Sequence, residues 1–329
     1  MIGHGRKVLA LCGGVGGAKL ALGLYRILAP HELVLCVNTG DDFVHLGLHV
    51  SPDLDTVFYT LAGLNNSETG WGRRGETWTF MRALEALGGE TWFRLGDGDL
   101  ATHVERTRRL GRGESLTEIS DDFARRLGIA AELLPMSDDP VRTLVETPEG
   151  SMPFQRYFVA RRCEPAVDRI IFDGAERAKP NSRIMAALRS TDLALVVICP
   201  SNPYLSVDPI LALPALRQAL AGCAAPVVAI SPLIGGQAVK GPTAKIMAEL
   251  GIPQTQASIA RHYDGIIDGI MIDNSDHAEA PALPLATRIT RILMASLEDR
   301  ERLAREALAF GASLDRRAKL PMMEAPRVP

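Results

Sequence analysis

The sequence lacks the features on which several common classes of protein depend. Its five cysteines include no C-x-x-C pair, a pattern that argues against a disulfide framework or a zinc site and favours buried thiols in a reducing compartment. No apolar run approaches the ~18 residues of a membrane span. The basic N-terminal residues are not followed by the long apolar segment of a signal peptide. We therefore expect a cytoplasmic protein that makes no contact with a membrane.

An excess of basic charge is also missing. The chain has 36 basic and 39 acidic residues and a formal net charge of −3. This balance lacks the basic footprint of general nucleic-acid binding, although it leaves room for a local site for a small anion. The sequence also has no G-x-S-x-G nucleophile motif, and the glycine-rich segment Gly13–Lys19 after the first predicted strand lacks the regular G-x-G-x-x-G fingerprint. The missing fingerprint disfavours a nicotinamide-dependent oxidoreductase, even though an acidic residue, Asp41, follows the second predicted strand.

Short apolar runs alternate with helix-like runs at both ends of the chain. Lys7–Cys12 and Leu33–Asn38 flank a helix-like run, Gly17–Leu28, and this β-α-β start implies parallel strands with a right-handed crossover. Because the runs are apolar throughout, they are typical of strands buried on both faces. We predict an α/β, Rossmann-like fold with a mostly parallel sheet and helices on both faces. The later predicted strands are Asp168–Asp173, Leu193–Pro200, Pro226–Ser231 and Gly269–Asp273.

The middle of the chain differs in composition, because it is richer in charge, glycine and tryptophan. Ser115 and Glu118 are spaced as a capping box that opens a helix, and Val141–Thr147 with Met152–Ala160 predict a hairpin. We predict a Rossmann-like core formed by residues 1–60 and 163–315. Residues 61–162 would form an inserted smaller subdomain or cap, and the tail 316–329 has a composition typical of disordered chain ends.

A glycine-rich turn, Gly13–Lys19, follows the first predicted strand and opens the first predicted helix. Glycines let the backbone approach a phosphate, and the free N–H groups at a helix start face an anion. A tight strand-to-helix turn is the alternative. The flanking strand and helix are those that phosphate binding requires, so we favour a phosphate site to which Lys19 adds positive charge.

Four carboxylates, those of Asp41, Asp42, Asp53 and Asp55, lie close together after the second predicted strand. Ligands bind at the carboxyl ends of such strands, and Mg²⁺ prefers oxygen ligands that bridge to substrate phosphates. For Asp53, capping of the next helix is an equal alternative. We predict that Asp41 and Asp55 bind a metal or activate a hydroxyl.

Two further groups of segments carry candidate binding residues. In Gly70–Trp78 and Leu95–His103, indoles could stack on a planar ring, and Asp, Thr and His could bond sugar-like hydroxyls. The alternatives are core tryptophans and an Asp99 that caps the helix Leu100–Leu110, and for Asp99 we favour the cap. The late loops Pro200–Pro203 and Ser231–Gly236, with Lys240 and Lys245, are candidates for nucleotide binding, and simple turns are their alternative.

Together these motifs resemble the 2-phospho-L-lactate transferases of coenzyme F420 biosynthesis, over Val8 to Asn274. The resemblance implies a Rossmann-like, often homodimeric enzyme that needs Mg²⁺. Its donor would be a guanosine diphosphate ester of a small acid and its acceptor the deazaflavin Fo, whose ribityl hydroxyl attacks the acid-bearing phosphorus so that GMP leaves. Such chemistry needs alignment and charge neutralisation more than a covalent nucleophile. The matching segments are Gly13–Lys19, Asn38–Asp42, Pro52–Thr56, Gly70–Trp78, Gly96–His103, Pro200–Pro203 and Ser231–Gly241.

The resemblance also implies roles for individual residues. Asp41 and Asp55 would hold Mg²⁺ or orient the attacking hydroxyl. Asp208 stands where the family pattern has glycine, and the transferred group (phospholactyl, phosphoenolpyruvyl or phosphoglyceryl) is left open. Residues implied to face Fo are Trp71, Asp97, Thr102 and His103. Residues implied to hold the guanine nucleotide are Gly13, Gly14, Gly16, Gly17, Lys19, Asn38, Ser201, Asn202, Gly235, Gly236 and Lys240.

A related family of nucleotide-sugar-binding regulators of central carbon metabolism is the main alternative, because it shares the glycine-rich first turn. In that family the acidic loop is expected to lead into a Gly/Ser-rich stretch. Here Asp42 leads instead into Phe43-Val44-His45. This difference, with the segments around Trp71 and Asp97, favours the transferase.

Overall fold

The computed structural model describes residues 5–66, 72–238 and 241–314. Trp71, Lys240 and the tail 316–329, about which the sequence makes predictions, lie outside these residues. The strands in chain order are β1 (Lys7–Cys12), β2 (Leu33–Val37), β3 (Phe43–His45), β4 (Leu48–Val50), β5 (Glu132–Pro135), β6 (Arg142–Thr147), β7 (Gly150–Pro153), β8 (Arg169–Asp173), β9 (Leu193–Ile198), β10 (Val227–Ile230), β11 (Leu233–Ile234), β12 (Gln237–Ala238), β13 (Gly269–Ile272) and β14 (Ala286–Ile289).

The helices are interleaved with these strands along the chain. They are α1 (Gly14–Ile27), α2 (Pro52–Leu61), α3 (Thr79–Ala86), α4 (Asp97–Leu110), α5 (Leu116–Arg126), α6 (Ser182–Arg189), α7 (Asp208–Leu211), α8 (Pro214–Gly222), α9 (Thr243–Glu249), α10 (Gln256–His262) and α11 (Leu297–Ser313). Shorter helical turns of other pitch are Pro30–Glu32, Arg156–Ala160, Pro203–Val207 and Asn274–Ala282.

Seven strands form the central sheet, in the order β14-β13-β10-β9-β1-β2-β5, and every pair is parallel. The chain starts in the middle, runs outward through β2 to β5, and then returns to the other side of β1 at β9. This is the strand order of doubly wound dinucleotide-binding folds with one further strand at an edge. The predicted Rossmann-like α/β fold is confirmed. The order in which the chain adds strands to the sheet reverses between β1 and β9.

Hydrophobic side chains on both faces of the sheet hold the helices. Leu9 and Leu11 of β1 belong to one buried cluster, which includes residues of α6, α8, α9 and α10, whereas Val8 and Ala10 belong to another, which includes residues of α1, α2 and α11. Successive side chains of a strand point to opposite faces, so one fully apolar strand supplies both clusters. The strand sequences are therefore apolar throughout because both faces of each strand are buried, as expected.

The antiparallel parts of the structure lie between strands of the main sheet. β3 and β4 form a hairpin between β2 and α2, and β7-β6-β8 form a three-stranded sheet between β5 and α6. β5 lies within 61–162, the range predicted as an insertion, and pairs with β2 in the main sheet. The chain thus leaves the core twice, once before β5 and once after it.

Several local predictions have a clear outcome. Ser115 and Glu118 form the capping box that opens α5. The segment Asp168–Asp173 is a strand, but it pairs antiparallel with β6 outside the main sheet. The second arm of the predicted hairpin ends at Pro153, and Arg156–Ala160 is helical instead. Among the described residues, no helix is long and apolar enough to cross a membrane.

Candidate functional site

A cavity of about 590 Å³ opens at the carboxyl end of the central sheet, where the loops after β1 and β9 meet. In open α/β sheets this point of reversed strand order is the usual ligand site. One part of the lining, here called the sheet wall, comes from the start of α1 and from loops that follow main-sheet strands. It comprises Gly13, Gly14, Val15, Gly16, Lys19, Pro200, Ser201, Asn202, Ser231 and Pro232. Another part, here called the aromatic wall, comprises Trp92, Phe93, Arg94, Phe154, Phe158 and Val159.

The glycines after β1 allow two loops to lie against each other. A Cβ on Gly16 would be 2.3 Å from the carbonyl oxygen of Pro200, a distance that no real side chain tolerates. The Ser201 hydroxyl donates to the carbonyl oxygen of Gly13 (2.8 Å) and accepts from its N–H (3.1 Å). This contact leaves Val15 and Gly16 in the first turn of α1, where backbone N–H groups have no intrahelical partner, on the border of the cavity.

Asp53 lies beneath the glycine turn. Its Oδ1 accepts from the N–H of Gly14 at 2.6 Å, and its Oδ2 accepts from Nδ2 of Asn38 at 2.9 Å. A Cβ on Gly13 would be 2.3 Å from Asp53 Oδ2, so glycine is required there as well. Asp53 does not cap α2, since the residue before the helix is Ser51. Of the two interpretations of Asp53 from the sequence, the capping role is therefore wrong.

Asp41 borders the same cavity and is nearly buried. The side-chain amide of Gln155 donates to its Oδ2 at 3.0 Å, and Asn38 Nδ2 lies 3.4 Å from its Oδ1. Asn38 thus bridges Asp41 and Asp53 from behind. Gln155 was missed in the sequence, because its segment was read as a strand that had no ligand to hold.

The surroundings of Asp41 and Asp53 disfavour the charged form of both carboxyl groups. Burial, with the nearby charges of Asp53 and Asp42, raises the pKa of Asp41 well above its ordinary value. Burial also raises the pKa of Asp53 to about 6, although bonds from Asn38 and Gly14 oppose the shift. A divalent cation in the cavity would relieve this repulsion, and carboxylate oxygens are the ligands that Mg²⁺ prefers. The donor set of Asp41 and Asp53 therefore fits such an ion.

Asp55, the predicted partner of Asp41, is turned away from the cavity. Both of its oxygens accept from the guanidinium of Arg106, one of them in a very short contact, and both residues are buried. His103 Nδ1 lies 3.6 Å from Asp55 Oδ2. Because α2 places residues two apart on different faces, Asp53 meets the cavity and Asp55 binds α4. The prediction that Asp55 shares a site with Asp41 is corrected on this ground.

The residues predicted from Leu95–His103 hold helices together and are not in the lining of the cavity. Asp97 accepts from the backbone N–H groups of Thr79 and Phe80, and so it anchors the start of α3. Tyr59 donates to Asp99 at 2.6 Å and bonds Thr102 at 2.9 Å. Asp99 therefore does not cap α4, which begins at Asp97 itself. His103 is buried, with its Nε2 3.3 Å from Asp99 Oδ2.

Asp55, Asp99 and His103 offer oxygen and nitrogen atoms close enough to one another to surround a metal ion. The guanidinium of Arg106 already occupies the space beside them, because it binds both oxygens of Asp55 and lies 3.4 Å from His103 Nδ1. A second cation there would meet the first at close range. The group is better explained as a buried ion pair that fixes α4 against α2.

The aromatic wall is built from two separate segments. Phe154, just after β7, and Phe158, within the helical turn Arg156–Ala160, stack with ring centroids 5.4 Å apart and an interplanar angle of 26°. Phe158 remains 40% exposed, so a ring is open towards a ligand. Trp92 and Phe93 pack edge to face, and Phe43 of β3 supports Phe93 at 4.9 Å. The wall offers flat apolar surface with a single cation, Arg94, among the residues that define it.

The loops after β9 and β10 contribute unequally to the lining of the cavity. Asn202 Oδ1 accepts from the N–H groups of Tyr204 and Leu205, while its Nδ2 is buried without a partner among the described residues. Gly235 and Gly236 form a turn whose N–H groups bond Asp276, away from the lining. Lys245 binds Glu249 and does not border the cavity.

The predicted nucleotide residues are largely brought together. Lys19 lies in the lining, where its ammonium group also bonds the carbonyl oxygen of Met294 at 3.0 Å. Gly17 packs against the Ser201 side chain and is not part of the lining. Predicted residues that border the cavity are Gly13, Gly14, Gly16, Lys19, Asp41, Ser201 and Asn202.

Solved structures share this architecture. A protein of the UPF0052 family from Bacillus halodurans aligns with a TM-score of 0.61 over 93% of this chain and 100% of its own. The sequences are only 16% identical, so the likeness concerns the fold alone.

Curated relatives are much closer in sequence. The phosphoenolpyruvate transferase of Streptomyces griseus is 40% identical over 311 residues, which cover 92% of this chain and 97% of that protein. The protein of the same name from Mycobacterium tuberculosis strain H37Ra is 38% identical and covers 83% of this chain and 89% of its own. A model of the family described as 2-phospho-L-lactate transferase CofD matches residues 8–302. The chain therefore belongs to the 2-phospho-L-lactate transferase CofD family.

Proposed function

We propose that this protein transfers a phospho-acid group from a guanosine diphosphate ester to the ribityl hydroxyl of the deazaflavin Fo, with release of GMP, in coenzyme F420 biosynthesis. The observation that carries the proposal is the position of Asp41 and Asp53 in one cavity with the sheet wall and the aromatic wall. A reaction between an anionic donor and a planar acceptor needs these three parts in contact with one another.

The sheet wall suits the donor. The first turn of α1 presents N–H groups and the positive end of a helix, and Lys19 adds a cation. Asn202 adds a buried amide donor without a partner among the described residues, and such a donor is stabilised when a ligand oxygen accepts from it. These features support the diphosphate and its nucleoside as occupants of this side.

The acidic pair suits Mg²⁺. We propose Asp41 and Asp53 as the residues that hold the ion, because both border the cavity and both have raised pKa values. Mg²⁺ bound there would neutralise charge on the diphosphate as it develops in the transfer. Asn38 and Gln155 fix the two carboxylates from behind, so little reorganisation is needed when the donor binds.

The aromatic wall suits the acceptor. A deazaflavin ring is flat and largely apolar, and Phe158 offers an exposed ring beside the stacked Phe154. Offset stacking of aromatic rings adds to the burial of apolar area. A ring held there would direct its ribityl chain towards Asp41, which lies in the same cavity and orients the attacking hydroxyl in this proposal.

The bond changes balance without a covalent intermediate on the protein. The ribityl oxygen forms a bond to the acid-bearing phosphorus, and the bond from that phosphorus to the bridging oxygen of the diphosphate breaks. GMP leaves with the bridging oxygen, and the hydroxyl proton is released. The names of the curated relatives favour phosphoenolpyruvyl as the transferred group, ahead of phospholactyl and phosphoglyceryl.

The test is a mass-spectrometric assay of the purified protein with Fo, Mg²⁺ and each of the three guanosine diphosphate esters. We expect a phosphoenolpyruvyl-modified deazaflavin with an equal amount of GMP, and loss of product in EDTA. A preference for another ester would change the donor but keep the reaction. No product from any ester, with tight binding of a nucleotide sugar, would reject the transferase in favour of a regulatory protein.

A further inference from the structure

The turn Pro203–Val207, after β9, contacts the site without providing its main ligands. Its Leu205 carbonyl oxygen accepts from Asn38 Nδ2 at 3.3 Å, and the Ser206 side chain packs against the glycine turn. Ser206 also forms a hydrogen bond with the Asp53 side chain. The turn is therefore in contact with both the residue that bridges the acidic pair and one carboxylate of that pair.

This segment is a single π-helical turn, with hydrogen bonds between residues five apart, so its own hydrogen bonds do not fix it as firmly as those of a longer helix would. Its start is held by Asn202, whose Oδ1 accepts from two backbone N–H groups of the turn. Its end leads directly into Asp208, the first residue of α7. What fixes Asp208 thus fixes the far end of the turn.

Asp208 is held by a histidine from a distant helix. Nε2 of His262, the last residue of α10, lies 2.7 Å from Asp208 Oδ1, and because a carboxylate only accepts, this nitrogen donates. The His262 ring also meets the ring of Tyr204, within the turn, edge to face at 4.8 Å. His262 therefore contacts the turn both at its end and in its first half.

The same helix reaches a second loop of the cavity. At the start of α10, Gln256 Nε2 lies 3.4 Å from the carbonyl oxygen of Leu233, in the loop after β10. The next residue of that loop, Ile234, borders the cavity. α10 thus connects the loops that follow β9 and β10, and His262 is its contact with the first of them.

We propose that Asp208 and His262 form a positioning pair that holds the turn Pro203–Val207 against Asn38 and Asp53. Neither residue borders the cavity, so they act on the reaction through Ser206 and Leu205. Both side chains are about one-fifth exposed, and a single hydrogen bond between side chains contributes only a small part of overall stability. The pair should therefore matter for the geometry of the site more than for folding.

The experiment compares His262→Leu, which removes the donor, with His262→Gln, which keeps one. The matched control is His277→Leu, because His277 is exposed and its ring contacts the backbone of Asn274. Each protein is assayed for kcat and for KM of donor and acceptor, for thermal midpoint, and for amide hydrogen exchange across residues 204–207. The inference rests on the proposed function for its kinetic readouts, whereas the exchange readout does not need turnover.

For His262→Leu we expect faster exchange in the turn, a kcat lower by about tenfold, and a thermal midpoint close to that of the wild type. His262→Gln should recover most of the lost kcat, and His277→Leu should match the wild type. Asp208→Asn combined with His262→Leu should cost no more than His262→Leu alone, because the two residues act as one unit.

Two results would overturn the inference. One is an unchanged exchange rate in the turn of His262→Leu. The other is an unchanged kcat in spite of faster exchange, since the turn would then be mobile without effect on the reaction. If the wild type itself transfers nothing, the proposed function fails, and the exchange rates together with the affinity for Mg²⁺–GDP decide the role of the pair.

Discussion

The two walls of the cavity recognise their proposed ligands by different means. The sheet wall consists of backbone and small side chains at the ends of parallel strands, fixed by contacts such as that between Ser201 and Gly13. The aromatic wall consists of large rings from two segments far apart in the sequence, such as Phe93 and Phe158. The proposed anion site is thus formed by the backbone of the fold itself, whereas the proposed acceptor site is formed by side chains that the fold only supports.

Asp41→Asn tests the acidic pair that lies in the cavity with the two walls, and it should have the largest effect on kcat. Loss of one charge from the acidic pair removes a proposed metal ligand, so we expect kcat to fall by roughly 10³-fold or more. Circular dichroism and thermal midpoint should stay near those of the wild type. Turnover that persists at saturating substrate would show that the reaction is organised elsewhere.

Asp55→Asn should act on folding instead, although it lies only two residues from Asp53. It leaves the buried Arg106 without its charged partner, which typically destabilises a fold by about 3–5 kcal/mol. Urea unfolding measures this change. A stable Asp55→Asn protein with a large loss of kcat would return Asp55 to the metal site and contradict the separation seen here.

Gly16→Ala should damage the sheet wall alone. The new Cβ would meet the carbonyl oxygen of Pro200 and push the two loops apart. We expect affinity for GDP, measured by calorimetry, to fall by about 10- to 100-fold, because the loss of one hydrogen bond to a charged group costs roughly 1.5–3 kcal/mol. Gly222→Ala is the control, because its Cβ would enter open space in α8. Equal affinities for the two variants would place the phosphates away from this turn.

Phe158→Ala should damage the aromatic wall alone. Loss of the exposed ring removes stacking and apolar area, so we expect the KM for Fo to rise by about tenfold with the KM for the donor unchanged. Phe158→Tyr keeps the ring and should behave like the wild type. A rise in the KM for the donor instead would mean that the two walls are assigned to the wrong ligands.

The smallest expected effect is that of Asp53→Asn on the stability of the metal-free protein, and its size depends on pH. The folded-state pKa of about 6 is above the ordinary value of 3.8, so the fold favours the protonated form. The corresponding stability is present below pH 3.8 and is lost as the pH rises through 6. In EDTA, Asp53→Asn should therefore stabilise the protein at pH 7.5 by about 1 kcal/mol and less at pH 5. Thermal melts at both pH values measure this; equal shifts would refute a raised pKa.

Five strands of the central sheet, β1, β2, β9, β10 and β13, could be predicted from the sequence because their signals are local, whereas the edge strands β5 and β14 were not predicted. Each of the five is a short apolar run that ends in a polar or glycine-bearing loop, as in Lys7–Cys12 followed by Gly13. β8 was placed in the wrong sheet for the same reason. Its apolar run resembles those of the core, and only its pairing with β6, a non-local contact, shows where it belongs.

Of the two carboxylates of the acidic site, Asp41 could be predicted from the sequence and Asp53 could not be distinguished from Asp55. The position of Asp41 follows from the end of β2, which any parallel sheet directs towards the ligand. The choice between Asp53 and Asp55 depends on how α2 is rotated, and Arg106, which lies about fifty positions further along, sets that rotation. The aromatic wall was missed because its segments carry no motif. Phe154 and Phe158 come together only where β7 ends and a helical turn begins.

The three-stranded sheet β7-β6-β8 lies in the chain between β5 and β9 of the central sheet. Among its contacts with the site are two hydrogen bonds: Gln155, just after β7, donates to Asp41, and the N–H of Thr143 in β6 donates to the carbonyl oxygen of Gly40.

Phe154 belongs to the buried cluster that also holds Leu9 and Leu11 of β1, whereas Phe158 is largely outside the core. In the proposed site, substitutions at Phe158 would therefore reshape the acceptor side without disturbing the packing of the parallel sheet, whereas substitutions at Phe154 would change both.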